Sequence, residues 1–249
     1  MGINMNFLIF KNNMWIRAME HVILNYYEFH DGDGMATKMN QKETKLYEIA
    51  EPQHGYFTAK QAASAGFLPT NYTYHVKAGS WLHEGVGIYR LKNFPVSRES
   101  QMAFYALWSR NREDQVLGVY SHETALSLYE LSDVNPSKLH MSVPSIFRKW
   151  TKIPKILKLY YCDLEQSDVQ AQNGIRVTTP LRTLIDVFES GTSLEFVEPA
   201  VLQAHSRGLV LMKDIKSPRT HPGASSQFIK WIAAAQNKSN TSTRRTAGA

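Results

Sequence analysis

With 249 residues, 43% of them hydrophobic and 11% aromatic, the chain has material for one large domain or two small ones with real cores, which excludes a wholly disordered polypeptide. A formal charge of +6 favours polyanionic partners such as nucleic acid, and no apolar run approaches the ~18 residues of a helical membrane span. The single cysteine, Cys162, excludes an internal disulfide and suits a reducing, cytoplasmic setting.

Residues 1–40 mix Trp15, Tyr26, Tyr27 and Phe29 without a clean period and end near "DGDG". That element lacks the third ligand, the glycine placement and the closing glutamate of a calcium loop, so it reads as a turn. The segment reads as an N-terminal extension, with native translation expected to begin at Met35 or Met39. From Gln41 a stripe of Leu46, Ile49 and Ala50 predicts a first helix, closed by Pro52 and Gly55. Thr58 and Gln61 make a capping box that starts a second helix, which Gly66 ends.

A third helix centred on Val76 places Tyr72 and Gly79 on one side and Thr70, Asn71, Tyr74 and Lys77 on the other, at 100° per residue. Hydroxyl, carboxamide, phenol and ammonium groups suit base edges and phosphates in a major groove. "WLHEGVGIYRLK" then reads as a hairpin around a glycine-containing turn. Helix, helix, turn, helix and hairpin is the order of a winged helix-turn-helix. The fold class expected is therefore α+β, an N-terminal winged helix-turn-helix over 41–95 followed by a mixed α/β domain over 96–235. The DNA-binding residues expected are Lys60, Thr70, Asn71, Tyr74, Lys77, Arg90 and Lys92, the last two leaving the wing beside the DNA backbone.

After a linker from Pro95 to Arg98, a helix is expected from about Glu99 to Ser109, burying Met102, Ala103, Ala106 and Leu107. Ser121 is read as the cap of "HETALSLYEL", with Glu123 in the favourable first turn. "KLHMSV", "ILKLYY" and the segment after Asn173-Gly174 predict strands of a mixed sheet. Thr179 and Pro180 then open a helix with a stripe of Leu181, Leu184, Ile185 and Phe188, on which Arg182 and Asp186 are an i, i+4 pair. "SSQFIKWIAAAQ" is expected to dock as a short helix, and 236–249 to be a disordered polar tail.

Between Arg148 and Lys158, "RKWTKIPKILK" carries Arg148, Lys149, Lys152, Lys155 and Lys158 without an acid, with Trp150 among them. Such a cluster is expected to need water or an anionic partner, whether DNA phosphates beyond the wing, RNA or an acidic protein surface. Ser121, His122 and Glu123 are consecutive at a helix start, where side chains diverge by 100°, so they are not expected to line up as a hydrolase triad. His54, His75 and His83 lack metal-ligand spacing, and no metal, cofactor or catalytic residue is expected.

"YFTAKQAASAGF…VGIYRL", "YSHETALSLYELSD" and "GIRVTTPLRTLIDVFE", in this order, resemble the AbiEi family of antitoxins from bacterial type IV toxin–antitoxin, or abortive infection, systems. The resemblance covers roughly Gln41 to Gly208, with "SHETAL" and "VTTPLRTLIDV" its most specific parts. It implies a winged helix that binds inverted repeats at the operon promoter and represses it. It implies also a C-terminal antitoxin domain that opposes a nucleotidyltransferase toxin without necessarily touching it, no catalysis, and a place in phage defence. Some relatives carry a further nuclease-like domain; here Asp163 and Glu165 lack the E-x-K spacing of such a metal site. A protein that is monomeric in solution and occupies paired half-sites cooperatively is the expected binding mode. The alternatives are a stand-alone winged-helix regulator without a toxin and a nuclease-related enzyme.

Overall fold

The computed structural model describes residues 41–211 together with Gln227, Phe228, Lys230 and Trp231. The expected extension over 1–40 and the tail over 236–249 lie outside the described residues. The fold is α+β. Internal contacts divide the chain into two units, Met1–Thr44 and Lys45–Ala249; of the first, only 41–44 are described, as a helical turn.

Helix α1, Gln41–Ala50, buries Leu46 and Ala50. Pro52 opens a 3-10 turn after it, and the chain reverses through left-handed His54 and Gly55, whose φ angles are 54° and 84°. A strand that the sequence pattern does not announce follows, β1, Tyr56–Thr58, all three residues buried. Thr58 is at once the end of that strand and the cap of α2, Ala59–Ser64. Its hydroxyl accepts from the Gln61 amide at 3.1 Å, and Gln61 Oε1 accepts from the Thr58 amide at 2.8 Å, the expected capping box. The Thr58 hydroxyl also donates to Asp114. Thr58→Ala therefore loses the cap and leaves Asp114 short of a donor, for a destabilisation of about 1–2 kcal/mol. Thermal melts of the two proteins check this.

Gly66, at φ 99°, ends α2, and a 3-10 turn Pro69–Asn71 leads into α3, Tyr72–Lys77. The hairpin of β2, Trp81–Gly85, and β3, Ile88–Leu91, completes a three-stranded antiparallel sheet in the order β1-β3-β2. Its aromatic core packs Phe57 and Phe67 edge-on against Trp81 at 4.9 and 5.1 Å between centroids. This geometry is favourable for rings of this charge distribution.

The next helix, α4, Arg98–Trp108, starts one residue before the expected Glu99. Ser97 caps it and Ser100 returns the bond. A five-stranded mixed sheet follows: β4, Val119–Tyr120; β5, Leu139–Val143; β6, Leu157–Tyr161; β7, Val169–Gln172; and β8, Ile175–Thr178. Its order is β6-β5-β4-β8-β7, with β4/β8 and β5/β6 parallel and the other pairs antiparallel. Helices α5, His122–Leu128, α6, Pro180–Glu189, and α7, Leu194–Ser206, complete it. On α6, Leu181, Leu184 and Ile185 are buried as their stripe predicts, and Phe188 packs its ring 5.3 Å from Phe228.

The chain is joined across the boundary expected at Pro95. A small core combines Tyr56 and Ile88 with Ala103 and Leu107 of α4. The β7–β8 turn lies on the segment after α1, where His54 Nε2 is 3.1 Å from the Asn173 carbonyl oxygen. Two expected caps are not made. Ser121 and Thr179 occupy N-cap positions, yet neither side chain bonds a helix amide; the Ser121 hydroxyl is engaged by His122 and Ser142 instead.

Candidate nucleic-acid interface

The short α3 sorts its side chains sharply. Tyr72 is buried and its hydroxyl donates to the Ala59 carbonyl at 2.7 Å, so the helix is tied to the start of α2. His75 stacks on Trp81 at 4.5 Å. Thr70, Asn71, Tyr74 and Lys77 are all exposed, Tyr74 at 69%. Of the four, only Thr70 and Asn71 share a side-chain hydrogen bond, at a long 3.4 Å.

The remaining expected contacts divide. Lys92 is exposed directly after β3 and beside the C-terminal end of α3: its Nζ lies 3.8 Å from where a Gly79 Cβ would be, and its amide bonds Ser80 O. Lys60 is exposed on α2 and spends its ammonium on the Arg112 carbonyl. Arg90 leaves the set. Only 7% exposed, it pairs with Glu84 at 3.1 Å and donates to the Phe94 carbonyl at 2.7 Å. It follows Ile88 by two positions on a strand, hence on the same inward face. The turn between β2 and β3 is short and held from below, since the Arg110 guanidinium donates to Val86 O at 2.9 Å and to Gly87 O at 3.3 Å.

The basic segment also divides. Lys149 is half-buried, donates to the Arg110 carbonyl at 2.7 Å and lies over the Trp108 ring at 5.6 Å. Burial, with Arg110 beside it, lowers its pKa. Lys158 lies over Tyr160 at 5.1 Å. Arg148, Lys152 and Lys155 are exposed and form no salt bridge among the described residues. Trp150 is 96% exposed.

A polar cluster that sequence reasoning missed lies inside the larger sheet. His122 has φ 51°, a left-handed backbone that is costly outside glycine and turns its ring back toward its neighbour. Its Nδ1 is 2.9 Å from Ser121 Oγ, and Ser142 Oγ donates to Ser121 Oγ at 2.8 Å. The expectation that consecutive Ser121 and His122 cannot meet is thus overturned by that one backbone angle. Glu123 does diverge, facing His140 at 3.9 Å. The ring of His122 stacks on Tyr160 at 3.5 Å, and burial, with His140, Lys158 and Arg182 nearby, pushes its pKa down to about 3. Ser121 is wholly buried and His122 nearly so, so the pair has no access to a bulky substrate.

Beside it Arg182 bridges two acids, bonding Asp186 at 2.8 Å and approaching Asp168 at 3.7 Å. The sequence spacing finds the i, i+4 pair but not its burial: Asp186 is 5% exposed, and burial, only partly countered by Arg182, pushes its pKa up to about 6. A cleft of about 540 Å³ opens against Ser142, Cys162, Leu164 and Arg176. Burial raises the Cys162 pKa, which holds the sulfur as a thiol at neutral pH, a poor nucleophile. Among the described residues no three His, Cys, Asp or Glu side chains are grouped to hold a metal, and no helix is long and apolar enough to cross a membrane. Comparison with models of known protein families finds no match, and comparison with the curated proteins finds none.

Proposed function

We propose that this protein is a cytoplasmic DNA-binding repressor whose N-terminal part is a winged helix-turn-helix with α3 as the groove-entering helix. In line with the resemblance of its motifs to AbiEi antitoxins, it represses its own toxin–antitoxin operon and counteracts a nucleotidyltransferase toxin through the larger domain. It is not an enzyme and takes no cofactor. One observation carries the reading: Tyr74 and Lys77 of α3, and Thr70 and Asn71 of the 3-10 turn that leads into it, are all exposed, with Lys92 beside the end of the helix. Asparagine can pair bidentately with adenine and lysine can neutralise a phosphate. The order of strands β1-β3-β2 around α2 and α3 supports the winged-helix assignment.

Titration of the purified protein against the duplex upstream of its own gene tests this. Asn71→Ala and Tyr74→Ala are expected to relax sequence preference, with about 1–3 kcal/mol lost per base contact, whereas Lys77→Ala weakens all duplexes alike. Wild-type binding by all three variants defeats the groove assignment. An adjacent nucleotidyltransferase reading frame favours the antitoxin over a solitary regulator.

A further inference from the structure

We propose that the segment from Ile146 to Lys155 is a second DNA contact, which grips the phosphate backbone of duplex flanking the site that α3 reads. It rests on the repressor reading for the presence of duplex and adds to it a contact on the other side of Pro95. Arg148, Lys152 and Lys155 are exposed cations without ion-pair partners among the described residues. Among them project three apolar side chains, Ile146 at 84%, Trp150 at 96% and Ile153 at 41% exposure. Uncompensated like charges around exposed apolar groups are costly in water and fit a polyanion with apolar sugar edges between its charges.

Position decides among polyanions. Lys149 holds the segment to the Arg110 carbonyl, and the Arg110 side chain holds the β2–β3 turn through Val86 O and Gly87 O. The same loop receives the Lys60 ammonium on the Arg112 carbonyl. One short loop thus links the basic segment, the hairpin turn and the start of α2. A duplex entered by α3 and passing the hairpin turn reaches the segment next. Arg148, Lys152 and Lys155 would then neutralise phosphates, and Trp150 would lie along the sugars of the minor groove, where proteins place apolar side chains.

The test uses the full chain and two duplexes from upstream of its gene, one of about 20 bp confined to the site that α3 reads and one of about 40 bp with both flanks. For the long duplex, R148A/K152A/K155A is expected to bind at least tenfold more weakly and to flatten the slope of log K against log salt by about 2 to 3. For the short duplex it should match wild type and keep its sequence preference. Trp150→Ala should weaken the long duplex severalfold at an unchanged slope. If the triple variant keeps the wild-type slope and the flank-dependent gain, the proposal is overturned. It is overturned too if Trp150 proves necessary for binding phosphatidylserine vesicles but not the long duplex. Failure of the α3 reading is distinguishable: N71A/Y74A would then bind like wild type while the triple variant still lost its slope. A wild-type protein that binds neither duplex sinks both.

Discussion

Below pH 6.5 the variant His122→Asn is expected to gain on the wild-type protein by about 1.4 kcal/mol for each pH unit, which is the free energy of one unit of pKa difference. The sign follows from proton counting. His122 is held down to about 3 in the folded chain by burial first and by the positive charge of its neighbours next, against an ordinary value near 6.5 in the unfolded chain. Above that value both states carry neutral imidazole and the group contributes no pH dependence. Between about 6.5 and 3 the unfolded chain binds a proton that the folded chain refuses, so wild-type stability falls as pH falls. The full loss is on the order of 4–5 kcal/mol, large beside a typical domain stability of about 5–15 kcal/mol. Asparagine tolerates the left-handed backbone and can still accept from Ser121, but forfeits the ring stacked on Tyr160. That costs about 2 kcal/mol at neutral pH, so the two stability curves should cross near pH 5.

Asp186 titrates in the opposite sense and must be accounted for in the same denaturant series. Its folded pKa, raised to about 6 by burial, exceeds the unfolded value near 3.9, so stability rises as pH falls between the two. Because both proteins retain Asp186, its contribution cancels in their difference, which reports His122 together with its effect on neighbouring His140. Parallel curves from pH 7 to 4 would mean that His122 is protonated as readily inside as outside.

Gly174→Ala is expected to destabilise by about 2–5 kcal/mol, combining a left-handed penalty with overpacking. The residue has φ 77°, and an added Cβ would stand 2.2 Å from the Pro52 carbonyl oxygen, a backbone atom that cannot swing aside. The site lies where the β7–β8 turn meets the segment after α1, beside the bond between His54 and Asn173 O. A drop of roughly 10 °C in melting temperature is the corresponding shift for a chain of this size. If the parts on either side of Pro95 melted independently, the variant would lower only the transition of the larger part; a single lowered transition supports their coupling.

What the sequence discloses is what short spacings encode. The Thr58–Gln61 cap, the outward face of α3, the Asn173-Gly174 turn and the α6 stripe each rest on residues a few positions apart, and each is found. β1 is missed because three wholly buried residues show no alternation, and their partner, β3, lies some thirty positions on. Arg90 illustrates a signal present but overridden: strand period two puts it with Ile88, yet its charge invites an exposed reading. The buried cluster has no comparable signal. Ser121, Ser142, Cys162, Asp168 and Asp186 converge only when the sheet forms, and the left-handed angle at His122 that aims its ring at Ser121 is a product of that packing rather than of local preference.

The small core that Tyr56 and Ile88 share with Ala103 and Leu107 bears on how this chain can be taken apart. A fragment ending near Pro95 would present to water an aromatic and an aliphatic surface that α4 normally shields, and such surfaces drive self-association. Separating the part before Pro95 for study would thus require carrying α4 along with it, and any evolutionary exchange of the larger domain would have to preserve the helix that both parts use as a common wall.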